Sequence, residues 1–151
     1  MTRIYNSIQI SHPIERVFDF VTTPSKWPQW HPASVSVSGN ANHSLLPGET
    51  VTEKIHVAGH SGEARWLVRE RSVPHRWVID GTGKNGGAAM ITYTLTPYSG
   101  GTTFERELVY AMPNPLFAVL DWLILHRRMR ADSGEALRRL KRLLESQREL
   151  T

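Results

Sequence analysis

The chain has 151 residues, 40% hydrophobic and 21% charged, so it can form one globular domain with its own core and is too apolar for intrinsic disorder. It contains no cysteine, which excludes a disulfide framework, a thiol nucleophile, a cysteine-ligated zinc site and an iron–sulfur cluster. The net charge of +4 is small. The sequence shows neither the apolar segment of a secretory signal nor a stretch able to span a membrane, so we expect a single cytoplasmic domain over residues 1–151.

The predicted elements begin with a strand and two short helices. Alternating apolar residues over 3–10 predict the strand. Ser11-His-Pro-Ile-Glu15 is typical of a helix start with a serine cap. The next apolar residues, at helical spacing, form one buried helix face: Ile14, Val17, Phe18 and Val21. Because prolines interrupt residues 24–32, we expect a second short helix or a turn there, with Trp27 and Trp30 packed inward.

Strands and one long helix make up the rest of the chain. Alternating segments separated by turn residues predict six more strands, at 34–38, 50–58, 63–72, 76–82, 88–97 and 102–112. Their short connections indicate an antiparallel meander. A helical pattern then runs from Leu116 to about Arg148. Asp132-Ser-Gly134 interrupts its apolar stripe, so either the helix kinks there or a small residue is needed for something to fit.

This order of elements resembles the helix-grip fold of the START-like superfamily, also called SRPBCC or Bet v1-like, and in particular its polyketide cyclase/dehydrase-like branch. The matching segments include Pro13-Ile-Glu-Arg-Val-Phe-Asp-Phe20, Trp27-Pro-Gln-Trp30 and Ile91-Thr-Tyr-Thr-Leu-Thr-Pro97. The resemblance implies an α+β fold in which a curved antiparallel sheet of about seven strands wraps around the C-terminal helix. It also implies a cavity between sheet and helix for an apolar or amphipathic small molecule, without specifying a reaction.

Two charged residues fall on otherwise apolar strand faces. The strand pleat places Glu53 with the apolar residues of 50–58, and Arg106 with those of 102–112. Because a buried charge is costly unless it is paired, the two side chains either form an ion pair with each other or meet a ligand. In the second case Arg106 would anchor a carboxylate or enolate and Glu53 would act as acceptor or base.

Aromatic side chains supply most of the other candidate ligand contacts. They either fill the core or line a ligand pocket, and the candidates are Trp30, Trp66, Trp77, Tyr93, Phe104, Tyr110 and Trp122. His126 continues the stripe of the long helix and can point at the cavity, whereas His31 is expected on a loop surface. His56 and His60 lie at a strand end, where their spacing does not suit a metal, so we expect no metal site and no cofactor.

Two other patterns are interpreted structurally. Gly81-Thr-Gly-Lys-Asn-Gly86 matches a dinucleotide-binding motif, but a strand pattern follows it, so we interpret it as a glycine-rich hairpin. The net positive charge lies on residues 126–151, which we interpret as a solvated helix face, and we expect no nucleic-acid partner.

Three functions remain open from the sequence. The first is binding of a small lipid-, polyketide- or aromatic-like molecule. The second is a cyclase or dehydratase that uses Glu53, Arg106 and tyrosines to move protons and polarise carbonyls. The third is an interaction module that uses the basic helix, and a homodimer is also left open.

Overall fold

The computed structural model describes residues 2–84, 86–111 and 119–149, with side chains described only for 123–147 of the last segment. A 3₁₀ turn at Pro24–Lys26 separates the first two helices. The helices are α1 (Ile14–Val21), α2 (Trp27–Trp30) and α3 (Val119–Glu149). The strands are β1 (Thr2–Ile10), β2 (Ser34–Ser38), β3 (Thr50–Val57), β4 (His60–Ser72), β5 (Arg76–Gly83), β6 (Ala88–Tyr98) and β7 (Gly101–Ala111).

All seven strands form one antiparallel sheet in the order β1-β7-β6-β5-β4-β3-β2. Every neighbouring pair except β1–β7 is consecutive in sequence, so short turns set most of the pairing. Helix α3 packs across the inner face, against β1, α2 and β3. The predicted α+β helix-grip architecture, with two short helices after the first strand, is confirmed.

The turn between β3 and β4 is tighter than the sequence suggested. The predicted start of β4 at residue 63 is wrong, because the strand already begins at His60, which pairs with Val57. The two turn residues, Ala58 and Gly59, have φ angles of 52° and 80°. Positive φ at both positions gives a turn whose twist matches that of the flanking strands, so pairing continues to the tip of the hairpin.

The start of α1 also differs from its prediction. Pro13, not Ser11, is the N-cap residue, and no side chain caps the helix. The backbone N–H of Ser11 instead donates to Glu145 Oε2 of α3 at 2.9 Å, which ties the start of the helical segment to α3. The predicted serine cap is therefore wrong, because the tertiary contact holds Ser11 outside the first turn.

The long helix is continuous through Asp132-Ser-Gly134, so the predicted interruption does not break α3. Its predicted first residue, Leu116, lies outside the described residues. Asp132 and Ser133 are buried, which places this polar step on the face that packs against the sheet.

An aromatic cluster fills one end of the space between sheet and helices. Tyr93 lies at its centre, with ring centroids 5.4 Å from Trp77, 5.0 Å from Phe104 and 6.5 Å from Trp30. Trp77 also donates from Nε1 to the Leu45 carbonyl at 3.1 Å. The predicted inward packing of Trp30 is confirmed, since only 1% of it is exposed. This packed aromatic cluster closes one end of the space between the sheet and the helices.

Candidate functional site

A cavity of about 1210 Å³ opens beyond the aromatic cluster, between the sheet and α3. Each inner strand supplies packed core at one end and cavity lining at the other. On β7, Phe104 is in the core, whereas Arg106 and Leu108 line the cavity; on β6, Leu95 is in the core and Tyr93 lines the cavity. The boundary between core and cavity therefore crosses the strands at the level of Tyr93 and Arg106, which are paired in register.

Polar and apolar lining residues are separated along the cavity. The inner end, next to the aromatic cluster, carries polar side chains, namely Trp30, His31, Ser34, Glu53, Tyr93, Arg106 and Ser133. The wall above it is mainly apolar and includes Ile55, Ala89, Ile91, Leu108, Leu125 and Met129. Strand ends at the mouth add exposed polar residues such as His60 and Lys84. Such a cavity suits a molecule with a polar end and an apolar body.

Glu53 is buried at the inner end, where it accepts a hydrogen bond from Trp66 Nε1 at 3.0 Å. Burial raises the pKa of its carboxyl group, and the Ser34 hydroxyl, the Trp66 bond and the Arg106 charge oppose that rise. The Ser34 hydroxyl does not reach hydrogen-bond geometry with any described residue. Because desolvation dominates, the protonated form of Glu53 is favoured relative to an exposed glutamate.

Arg106 does not form the alternative ion pair with Glu53. Within the described residues, no carboxylate oxygen lies within 4.0 Å of its guanidinium group. Arg106 Nη1 donates to Ser133 Oγ of α3 at 3.1 Å, and its buried Nε has no partner among the described residues. Its positive charge therefore lies beside the cavity next to neutral hydroxyl groups, those of Ser133 and Tyr93, and not next to a carboxylate of the described residues.

Tyr93 and His31 complete the inner end in their neutral forms. Burial raises the pKa of Tyr93 to about 12, although Arg106 beside it has the opposite effect. Burial, with the charges of Arg106 and Arg139, holds the pKa of His31 well below its usual value. The expectation that His31 lies on a loop surface is wrong: it follows the short helix α2, which turns the ring into the cavity lining.

Among the lining residues that were not identified from the sequence, three bear directly on the inner end. Asp132 and Ser133 line the cavity from α3, and burial raises the pKa of Asp132 against the opposing charges of Arg128 and Arg139. The interrupted apolar stripe was the signal for both. Gly81 lies opposite Trp66 in the sheet, and a Cβ atom there would come within 2.4 Å of the indole ring. Glycine is therefore required for Trp66 to lie across β5 and reach Glu53.

The other predicted contact residues fall in different places. Trp66 and Tyr110 line the cavity, whereas Trp77 and Phe104 lie in the packed core and are not among its lining residues. His126 is not among the lining residues either, but its Nδ1 is 2.9 Å from the Tyr110 hydroxyl. The side chain of Trp122 lies outside the described residues.

Stability should fall with rising pH because of Glu53. Its folded-state pKa lies above the ordinary value of 4.5, so the unfolded chain loses this proton first and is favoured as pH rises. The contribution of Glu53 to stability is fully present below the unfolded pKa and is lost as pH passes the folded pKa. Glu53→Gln keeps an acceptor for Trp66 and should remove this part of the dependence.

Urea unfolding of the wild-type protein and Glu53→Gln over acidic to neutral pH measures the effect. The variant should gain stability relative to wild type as pH rises, and a constant difference would contradict the burial of an ionisable carboxyl group. The raised pKa of Asp132 also makes stability fall with rising pH. Because Asp132 is present in both proteins, its contribution cancels in the difference between them.

The glycine motif lies in a hairpin, and three arginines of the basic helix pair with an acid of the same helix. β5 ends at Gly83 and β6 begins at Ala88, which confirms the predicted hairpin. On α3, Glu135 pairs with Arg138, Arg139 and Arg142 at 3.0–3.3 Å.

Among the described residues, no group of three or more His, Asp or Glu side chains is placed to hold a metal ion. None of the described helices is long and apolar enough to cross a membrane.

The seven-stranded sheet around α3, with a lined cavity between them, is a START-like helix-grip fold. The family described as "Polyketide cyclase / dehydrase and lipid transport" matches residues 1–145, and the chain belongs to this family. No curated protein matches the chain.

Solved structures support the fold. A protein from Thermus thermophilus is similar with a TM-score of 0.78 and 15% identity, covering 96% of this chain and 98% of that one. A START superfamily protein from Mycobacterium smegmatis has a TM-score of 0.69 and 15% identity, with 99% of both chains covered. A protein from Rhodobacter sphaeroides has a TM-score of 0.71 and 20% identity, covering 96% of this chain and 93% of that one.

Proposed function

We propose that the protein binds a small amphipathic molecule inside the cavity, with its polar end among the residues around Arg106 and its apolar body toward the mouth. The observation that carries this proposal is the division of one cavity of about 1210 Å³ into a polar inner end and an apolar wall. Family membership supports it, because the family description includes lipid transport. The ligand would be lipid-, polyketide- or aromatic-like.

Enzymatic cyclisation or dehydration is the second candidate. It is favoured by a buried carboxyl group with a raised pKa, Glu53, near a neutral Tyr93 and the charged Arg106. Such a group can exchange a proton with a substrate carbon while the donors polarise a carbonyl. If this candidate is correct, Glu53→Gln should abolish turnover of a substrate and leave its affinity nearly unchanged.

The binding proposal is tested by blocking the cavity. Ala89 faces inward on β6 and Met90, the next residue, is exposed on the opposite face of the sheet. Ala89→Trp should weaken binding of the neutral fluorescent probe N-phenyl-1-naphthylamine by about tenfold or more, because the indole would occupy the space of the probe. Met90→Trp is the matched control and should bind the probe like the wild-type protein.

Native mass spectrometry of gently purified protein gives an independent test. A co-purified mass of lipid or polyketide size, lost in Ala89→Trp and kept in Met90→Trp, would support the proposal. Equal probe binding by both variants would place the probe elsewhere and contradict it.

A further inference from the structure

Arg106 is a buried charge without a counter-ion among the described residues. Only 6% of the residue is exposed, and its neighbours are neutral hydroxyl groups: Arg106 Nη1 donates to Ser133 Oγ, and the Tyr93 hydroxyl lies beside it and interacts with it. Removing a guanidinium group from water is costly unless an anion lies beside it. Buried arginines are normally paired with carboxylates, so this geometry leaves a place for an anion to be supplied from outside the chain.

Two other N–H groups at the inner end have no acceptor among the described residues. Trp30 lines the cavity, and its buried Nε1 has no hydrogen-bond partner among the described residues. His31 Nδ1 accepts the backbone N–H of Ala33 at 3.1 Å, so the neutral ring carries its proton on Nε2. Arg106 Nε, Trp30 Nε1 and His31 Nε2 therefore all present N–H groups on residues that line the same end of the cavity.

Glu53 does not cancel this excess of donors. It is directed to Trp66, and no oxygen of its carboxyl group lies within 4.0 Å of Arg106. Its raised pKa makes proton uptake easier than for an exposed glutamate. Asp132, the other buried acid of the described lining, pairs with Arg128 at 3.4 Å and not with Arg106. A protonated Glu53 would therefore leave Arg106 without a paired carboxylate and would add a further O–H donor.

We propose that the inner end binds the carboxylate of a monoanionic amphiphile, held by the Arg106 guanidinium group and the Trp30 indole N–H. This inference rests on the proposed function and names the class of its ligand. One guanidinium matches one carboxylate in charge and in planar geometry. The side chains of Lys54 and Lys84 also line the cavity but are exposed, which leaves Arg106 as the buried cation of the described lining. The apolar chain of the ligand would lie along Ile55, Ile91 and Leu108.

The test compares two probes that differ only at the polar end. Dodecanoate and dodecan-1-ol are titrated against protein loaded with N-phenyl-1-naphthylamine, and displacement of the dye gives each affinity. At neutral pH we expect dodecanoate to bind about tenfold or more tightly than the alcohol, because only the acid supplies an anion to Arg106. Arg106→Met should remove this preference while leaving the affinity for the alcohol nearly unchanged.

Arg65→Met is the matched control, since Arg65 is an exposed arginine on β4 that does not line the cavity. It should keep the full preference for dodecanoate. Arg106→Lys provides a second variant that keeps the charge without the planar fork, and it should retain part of the preference.

The outcomes separate the two proposals. If the dye does not bind the wild-type protein, or if neither probe displaces it, the proposed function itself fails. If both probes displace the dye with equal affinity, the cavity function stands and the carboxylate proposal is overturned. A full preference for dodecanoate that persists in both Arg106 variants would also overturn it. Loss in Arg106→Met with retention in Arg65→Met would support it.

Discussion

Replacement of Trp77 by alanine is expected to lower the free energy of unfolding by about 3–5 kcal/mol, the usual cost of truncating a fully buried large aromatic side chain. Trp77 is fully buried, and its ring stacks on Tyr93 at 5.4 Å and contacts the edge of Trp27 at 6.2 Å. Truncation would leave a cavity below the ligand site and would leave the Leu45 carbonyl without its indole donor.

Urea unfolding followed by circular dichroism measures this loss. Arg76→Ala is the control, because Arg76 is the exposed neighbour on the same strand and forms only a surface ion pair with Glu70. Its cost should stay within about 1 kcal/mol. A Trp77→Ala variant as stable as Arg76→Ala would show that packing of the aromatic cluster does not contribute the predicted free energy of unfolding.

Gly81→Ala is expected to destabilise the protein by about 1–3 kcal/mol, a typical cost of overpacking. The new Cβ atom would lie 2.4 Å from Trp66 Cζ3 and 2.5 Å from Cε3, so the indole ring must move. Movement of the ring would break its 3.0 Å hydrogen bond to Glu53. We therefore expect lower stability, changed tryptophan fluorescence and weaker binding of N-phenyl-1-naphthylamine together.

Gly83→Ala is a closely matched control on the same strand and the same face. A Cβ atom at Gly83 would meet its nearest neighbours at 3.8 Å, which is ordinary van der Waals contact. Its stability should stay near that of the wild-type protein. If Gly81→Ala were equally well tolerated, Trp66 would not need to lie across β5, and the position of Glu53 would not depend on that glycine.

The two substitutions act on different parts of one arrangement. Trp77 packs against Tyr93 at the inner end of the cavity. Gly81 leaves room for the indole ring of Trp66, which donates a hydrogen bond to Glu53. The prediction that Glu53 and Arg106 share an inward-facing environment came from strand alternation, which has a period of two and is visible in sequence. That the two residues are oriented by Trp66 and Ser133, respectively, depends on β4 and α3 and is not visible there.

Local patterns did not give the depth at which an inward-facing residue lies in the fold. His31 was expected on a loop surface, but it follows α2 directly and lines the cavity. Trp77 and Phe104 alternate with the same period as Tyr93 and Tyr110, yet they lie in the packed core. Alternation identifies the inner face of a strand, but it does not give the height along the strand at which packing ends and the cavity begins.

The helix-grip fold class came from the family resemblance, whereas local sequence patterns were sufficient to predict the antiparallel order of the strands, the inward face of each strand and the presence of two charges on those faces. These properties follow from periodicity and turn chemistry, which act over a few residues. The folded chain was needed to show that Arg106 lacks a carboxylate partner among the described residues, that His31 joins it, and that Gly81 accommodates Trp66. Each of these depends on distances between elements far apart in the chain, which are set when the sheet closes around α3.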